Sequence, residues 1–233
     1  MDQTAPLSLR IEQPPQTLRE IVLDRLRSAI ISGYFKSGER LVERHLCDQL
    51  GVSRSVVREV IRTLESECLV EIMPNRGPMV AELDWAKASQ IYEIRLLLEQ
   101  SAAAACAATA TAATKTALRT ALADIGVAVF GDDARGQVDA TTRFYQVIFI
   151  AAGHDVAWEI VQRLNRRISR LRTLTLTTTD RHVSGLACMA ELCDAIADND
   201  PAAAARAVQD YLTEAALIAR RLLEAEERPG GPD

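Results

Sequence analysis

The sequence predicts a mainly α-helical protein: a small N-terminal unit of three helices and one β-hairpin, then an all-helical unit. Three observations carry that prediction. Of the 233 residues 48% are hydrophobic but only 4% aromatic, so the apolar mass is mostly Ala, Leu, Val and Ile, which suits packed helices better than sheets. Apolar residues recur at helical spacing along most of the chain. One segment, residues 69–81, reads as a strand pair around a tight turn.

Charged residues make up 25% of the chain and the net charge is −5, an ordinary globular composition. No run of about 18 uncharged apolar residues offers a membrane span, and residues 1–10 lack the apolar core of a secretory leader. Five cysteines without a CxxC pair point to the reducing cytoplasm and to neither a disulfide framework nor a cysteine zinc cluster.

The elements follow in order. Residues 1–16 are polar, hold Pro6, Pro14 and Pro15, and read as a loose arm. From Thr17, a cap with Glu20 three residues on, a helix runs until Gly33 and Gly38 open a turn. Residues 43–50 form a second helix closed by Gly51, where the chain needs positive φ. Ser53 caps a third helix to about Glu67. Residues 69–73 and 79–81 then pair around a turn from Pro74 to Pro78. Beyond Leu83 we expect helices at about 84–112, 114–130, 136–151, 155–176, 181–198 and 201–226, the last with Pro201 in its first turn and Asp200 as its cap. The boundary lies near 81–84, and residues 227–233 read as a disordered tail. The units are therefore 17–81 and 84–226.

Two helices, a Gly turn, a third helix and a hairpin describe a winged helix-turn-helix. Arg54, Arg58 and Arg62 are spaced four apart on the third helix and share one face, while Val57, Val60, Ile61 and Leu64 form the opposite, core-facing one. Ser53 and Ser55 stand at its N-terminal end, where hydroxyls and backbone N–H groups hold a phosphate. Arginine there can grasp a guanine edge with two hydrogen bonds, and Arg76 in the wing turn can enter a minor groove. The acidic total does not oppose DNA. Residues 51–63 alone hold three Arg against one Glu, and binding is local.

These residues carry a resemblance. The run from Leu41 to Ile61, with Gly51-Val52-Ser53-Arg54 and Arg58-Glu59 in place, resembles the winged-helix signature of GntR-family transcriptional regulators, from about Leu18 to Val80. The family's usual Pro before Val-Arg is Val56 and its usual Gly near the helix end is Cys68. The resemblance implies that Arg44, Ser53, Arg54, Ser55 and Arg58 contact the major groove and backbone, and that Asn75, Arg76 and Gly77 form the wing contact.

Ile91 to Glu99, Phe144-Tyr145, residues 151–153 and residues 194–200 resemble landmarks of the FCD ligand domain of FadR-type members, over about 84–222. Many such domains hold a divalent metal through one Asp and three His. Those positions here are Thr141, Tyr145, Met189 and Tyr211, so all four ligands are replaced and we expect no metal. Cys188 and Cys193 read as small apolar core residues, and His154 and His182 as exposed helix-end residues. Thr141, Tyr145, Met189 and Tyr211 instead can line an effector pocket of mixed character, or equally be plain core. By resemblance Arg95 faces the cavity and favours a carboxylate or phosphate; the alternative is that it pairs with Glu99 one turn on. Asn165, Arg166, Arg167, Arg170 and Arg172 read mostly as a solvated or dimer-rim face, with Arg172 reaching toward the pocket as the exception.

The resulting expectation is a cytoplasmic, homodimeric, ligand-responsive regulator that binds a palindromic double-stranded operator and no membrane. Its effector would be an organic or acyl carboxylate that relieves repression. The alternative is a constitutive DNA-binding dimer with a degenerate effector site. An enzyme is not expected, because three histidines offer no triad and no metal set.

Overall fold

The structure, a computed structural model, describes residues 16–131 and 133–226. Its elements are α1 (Leu18–Ile31), α2 (Glu43–Leu50), α3 (Arg54–Ser66), β1 (Val70–Met73), β2 (Gly77–Val80), α4 (Trp85–Thr109), α5 (Ala112–Phe130), α6 (Ala134–Ala152), α7 (Asp155–Arg167), α8 (Ser169–Leu176), α9 (Thr179–Ala197) and α10 (Pro201–Glu226). The expected arm, except Gln16, and the expected tail lie outside the described residues. So does the side chain of His182.

Local chemistry sets the N-terminal unit. Thr17 closes a capping box: its hydroxyl accepts from the Glu20 N–H at 3.3 Å and the Glu20 carboxylate accepts from the Thr17 N–H at 2.7 Å. Gly51 ends α2 with φ 65° and ψ 34°, a conformation costly for residues with a Cβ. Ser53 sits at the cap position of α3 but does not cap through its side chain; its hydroxyl meets that of Ser55 at 2.8 Å instead. Val57, Val60, Ile61 and Leu64 are all buried, with Val22, Leu26 and Ile30 of α1. Arg27 of α1 grips Glu67 at the end of α3 through Nε at 2.9 Å and Nη2 at 2.6 Å.

The wing differs from expectation in two ways. Gly77 and Pro78 belong to β2, not to the turn: Met73 pairs with Gly77 and Val70 with Val80. The loop shrinks to Pro74, Asn75 and Arg76, with Asn75 at φ 64° and Gly77 at φ 79° reversing the chain. Residues 38–41 also line the outer edge of β2. The Gly38 N–H donates to Val80 O at 3.1 Å, the Val80 N–H to Glu39 O at 2.8 Å, and the Leu41 N–H to Pro78 O at 2.9 Å. This third strip is short and its Gly-Glu-Arg composition carries no strand signal; backbone pairing alone defines it. Cys68, where the family uses Gly, sits at φ 58°, so the glycine preference there has a conformational cause.

The helical unit has a separate core running from Ala88 to Leu223. Its axis is α4, which contacts α6, α7, α9 and α10. Ala102, Ala103, Cys106 and Ala107 are completely buried, as are Ala204, Val208 and Ala219 of α10, and side chains this small let helices approach closely. Burial pushes the Cys106 thiol up to about 11 and also raises that of Cys193, so neither is reactive. Asp200 caps α10 by accepting from the Ala203 N–H at 2.9 Å. The helix expected over 155–176 is two helices, because Ile168 leaves helical geometry at φ −112° and ψ 22°. No described helix is long and apolar enough to cross a membrane.

Leu64 is fully buried beneath α3. Leu64→Ala should destabilise the N-terminal unit by about 2–5 kcal/mol through lost transfer energy and a residual cavity, read as a lower denaturant midpoint. An unchanged midpoint would remove Leu64 from the core.

Candidate functional site

Two sites stand out. The first is the outer face of α3. Arg54, Arg58 and Arg62 are exposed along it, and Arg44 on α2 is exposed beside it. Asn75 and Arg76 are exposed at the wing tip. The inner face of α3 is sealed into the core, so these cations are presented outward by packing rather than by chance. Arg58 is already oriented: its Nε donates to both carboxylate oxygens of Glu43, at 3.1 and 3.0 Å. That leaves its two terminal nitrogens for another acceptor. Glu43 lies within the motif, but an acid on a cationic face carries no sequence signal of its own, and only proximity across fifteen residues reveals it.

The second site lies inside the helical unit. Thr141, Tyr145, Met189 and Tyr211 are all buried, and the Tyr145 and Tyr211 ring centroids stand 6.2 Å apart. Thr141, Met189 and Tyr211 line a cavity of about 20 Å³ with Gln137 and Ile125. A second cavity of about 20 Å³ is lined by Tyr92, Arg95, Arg172, Thr175 and Tyr211. Leu176 and Tyr211 border both. Each has room for about one water-sized group.

The charged side chains buried among the described residues are Arg95, Glu99 and Arg172, at 4%, 1% and 8% exposure. Arg95 Nε donates to Glu99 Oε1 at 2.7 Å, so the pairing alternative for Arg95 is the observed one. Its guanidinium also lies 5.6 Å from the Tyr92 ring centroid. Burial works to lower the Arg95 pKa, but Glu99 and then Tyr92 outweigh it and raise it. Burial lowers the pKa of Arg172 and the neighbouring Arg95 lowers it further. The hydrogen bond recorded for Arg172 is a long one, 3.4 Å from Nη2 to the Thr142 hydroxyl. Burial, then Glu99 and Tyr211, hold the Tyr145 hydroxyl well above the usual phenol value. Both amide atoms of Gln137 and Oε2 of Glu99 have no hydrogen-bond partner among the described residues.

The basic stretch thus divides. Arg166 and Arg167 are exposed as expected, but Asn165 and Arg172 are buried and Arg170 is half-buried. Gln137 was legible in principle, because 137, 141 and 145 recur every four residues on α6 and share a face. Cys193 is buried, while Cys188 and His154 are half-buried.

The residues at the four family metal positions do not fit a divalent metal. Two phenols, a hydroxyl and a thioether replace carboxylate and imidazole donors. Among the described residues no cluster of His, Cys, Asp and Glu has metal-binding geometry.

Comparison with known proteins gives the following. Residues 18–80 match the family described as bacterial regulatory proteins, gntR family, and residues 90–214 match the FCD domain. A helix-turn-helix transcriptional regulator of Bacillus subtilis, YdhC, is 39% identical over 34% of this chain, and this chain spans 35% of its length. The transcriptional repressor RspR of Escherichia coli is 23% identical over 90% of this chain and 92% of its own. A solved GntR-type regulator from Rhodococcus superposes with a TM-score of 0.67 at 25% identity, covering 86% of this chain and 96% of that one.

Glu99→Gln should leave Arg95 and Arg172 buried without a counter-charge and lower stability by about 3–5 kcal/mol. Calorimetric or denaturant unfolding measures this. A loss below about 1 kcal/mol would mean that water reaches the pair.

Proposed function

The chain belongs to the gntR family of bacterial regulatory proteins, with an FCD domain behind its helix-turn-helix, and on that premise we propose a ligand-responsive repressor of the FadR type, cytoplasmic and homodimeric. It is a DNA-binding transcriptional regulator and not an enzyme. The observation that carries the finer reading is the split of α3 into a sealed apolar face and an open arginine face.

Arg54 and Arg58 are proposed to read base edges in a major groove. Arg44, Ser53 and Ser55 hold the adjoining phosphates, where the N-terminus of α3 adds its own N–H groups. Asn75, Arg76 and Gly77 present the wing to a neighbouring minor groove. Two such units related by a two-fold axis fit a palindromic operator. Glu43 buttresses Arg58, which reduces the freedom that arginine loses on docking.

The effector reading places a small carboxylate, organic or acyl, among Arg95, Thr141, Tyr145, Met189 and Tyr211, with no metal. The path to DNA is α8. One side of it, Arg172 and Thr175, lines the inner cavity. The other, Leu171 and Leu174, lines a cavity of about 160 Å³ shared with Ile30, Leu69 and Val80 of the winged helix. A ligand that shifts α8 therefore acts on both units, which is the coupling a switch needs. Repression agrees with the repressor name of the relative from Escherichia coli, and its relief by ligand is part of the proposal. The small volume of the inner cavities favours the rival reading, a constitutive dimer with a degenerate site. Ligand-dependent release of operator DNA, screened over organic acids, decides between them, and no release by any acid leaves the constitutive dimer standing.

Arg54→Ala should weaken operator binding by about 1–3 kcal/mol and relax specificity at one base position. Arg76→Ala should weaken binding to all sequences and reduce the salt slope by about one ion. Titrations on operator and scrambled DNA at several salt concentrations measure both. Unchanged specificity in the Arg54 variant would remove it from base readout.

A further inference from the structure

The cavity of about 160 Å³ between the winged helix and the helical unit has walls from both. Ile30, Leu69 and Val80 line it from the first, and Leu171, Leu174 and Leu223 from the second. All are buried except Leu174, which is half-buried. An apolar cavity of about 150 Å³ stays dry and takes up benzene. One polar atom inside this one is unanswered. The Ser169 hydroxyl, at the start of α8, lines the same cavity, is buried, and has no hydrogen-bond partner among the described residues. A buried hydroxyl without a partner is costly. We infer that the cavity between the units is a binding site for a small neutral alcohol or phenol with an apolar body of about six carbons, whose hydroxyl pairs with Ser169.

The surroundings select a neutral ligand. Around the mouth the charges are mixed: Glu71 and Glu82 stand with Lys87 and Arg167, and all four are exposed. Arg170 also lines the cavity, but its Nη2 lies 3.5 Å from the position that a Cβ on Gly33 would take, just past the end of α1. An ion would lose its hydration against leucine walls with acids and cations both close by. An uncharged ring loses little there, and its hydroxyl finds the one buried partner. The site shares no lining residue with the inner cavities that Tyr211 borders, so it stands whether or not a carboxylate binds among those. A molecule held in it touches the winged helix and the helical unit at once. Any movement of one against the other when operator is bound changes the cavity, so ligand and operator alter each other's affinity by the same factor.

The test uses the full-length protein, with phenol, cyclohexanol, toluene and benzoate as probes. Calorimetry measures their binding, and titration at fixed salt measures operator affinity. Phenol and cyclohexanol should bind saturably, toluene more weakly and benzoate more weakly still. Saturating phenol should shift operator affinity by about fivefold or more, and operator DNA should shift phenol affinity by the same factor. Ser169→Ala should weaken phenol binding by about fivefold, the worth of one hydrogen bond, and leave toluene binding unchanged. Leu174→Trp fills the cavity and should abolish binding of every probe. Leu171→Ala enlarges it and should move the preference from phenol toward naphthol, a gain that a poorly folded variant cannot produce. Absence of saturable phenol binding to the wild type overturns this inference and leaves the carboxylate reading as it was. Wild-type phenol affinity in Leu174→Trp overturns the assigned cavity, benzoate binding more tightly than phenol overturns the neutral ligand, and an unmoved operator affinity overturns the coupling.

Discussion

The helical unit depends on the buried face of α4. Helices α6, α7, α9 and α10 contact it, and Ala102, Ala103 and Ala107 on it are completely buried. On that face a polar side chain has no route to water, so a charge there is answered inside, whereas Lys87 and Glu93 of the same helix are exposed. Arg95 finds its answer in Glu99 one turn away. That local solution fixes the pair as part of the scaffold and shifts the burden of function to whatever approaches from outside α4.

What approaches is α8. It is a separate helix because Ile168 departs from helical geometry; Arg172 lines the inner cavity, while Leu171 and Leu174 line the cavity shared with the winged helix. A single eight-residue helix is therefore common to the inner cavity and to the boundary between the units. Small movements of such an element are felt on both sides, because packed interiors shift between discrete arrangements rather than deforming smoothly.

In the proposed effector reading, Thr141, Tyr145, Met189 and Tyr211, without imidazole and carboxylate donors, hold no metal cation to meet an acidic ligand. The positive charge comes instead from a protein side chain, as a guanidinium. The winged helix shows the opposite economy, with charge left in water. Its cations lie on one face of α3, and one of them, Arg58, is held in place by Glu43.

The amphipathic face of α3, the αL turn at Gly51, the capping box at Thr17 and the cap at Asp200 were all legible in the sequence. Each is decided by residues within a turn or two of each other, where helical periodicity and backbone preference act directly. So was the convergence of Thr141, Tyr145, Met189 and Tyr211, although only by resemblance. The third strip along β2 was not legible, because residues 38–41 bond to β2 only through an isolated bridge and backbone hydrogen bonds to residues about forty positions away. The fate of the basic stretch was legible in part: Arg172 stood out as the residue reaching inward and Arg166 and Arg167 as solvated, but the burial of Asn165 and the half-burial of Arg170 did not. The sequence by itself determined the arginine-bearing amphipathic helix α3, since one helix displays its whole face; tertiary structure alone decided which charged side chains meet in the interior, since that is a property of several elements at once.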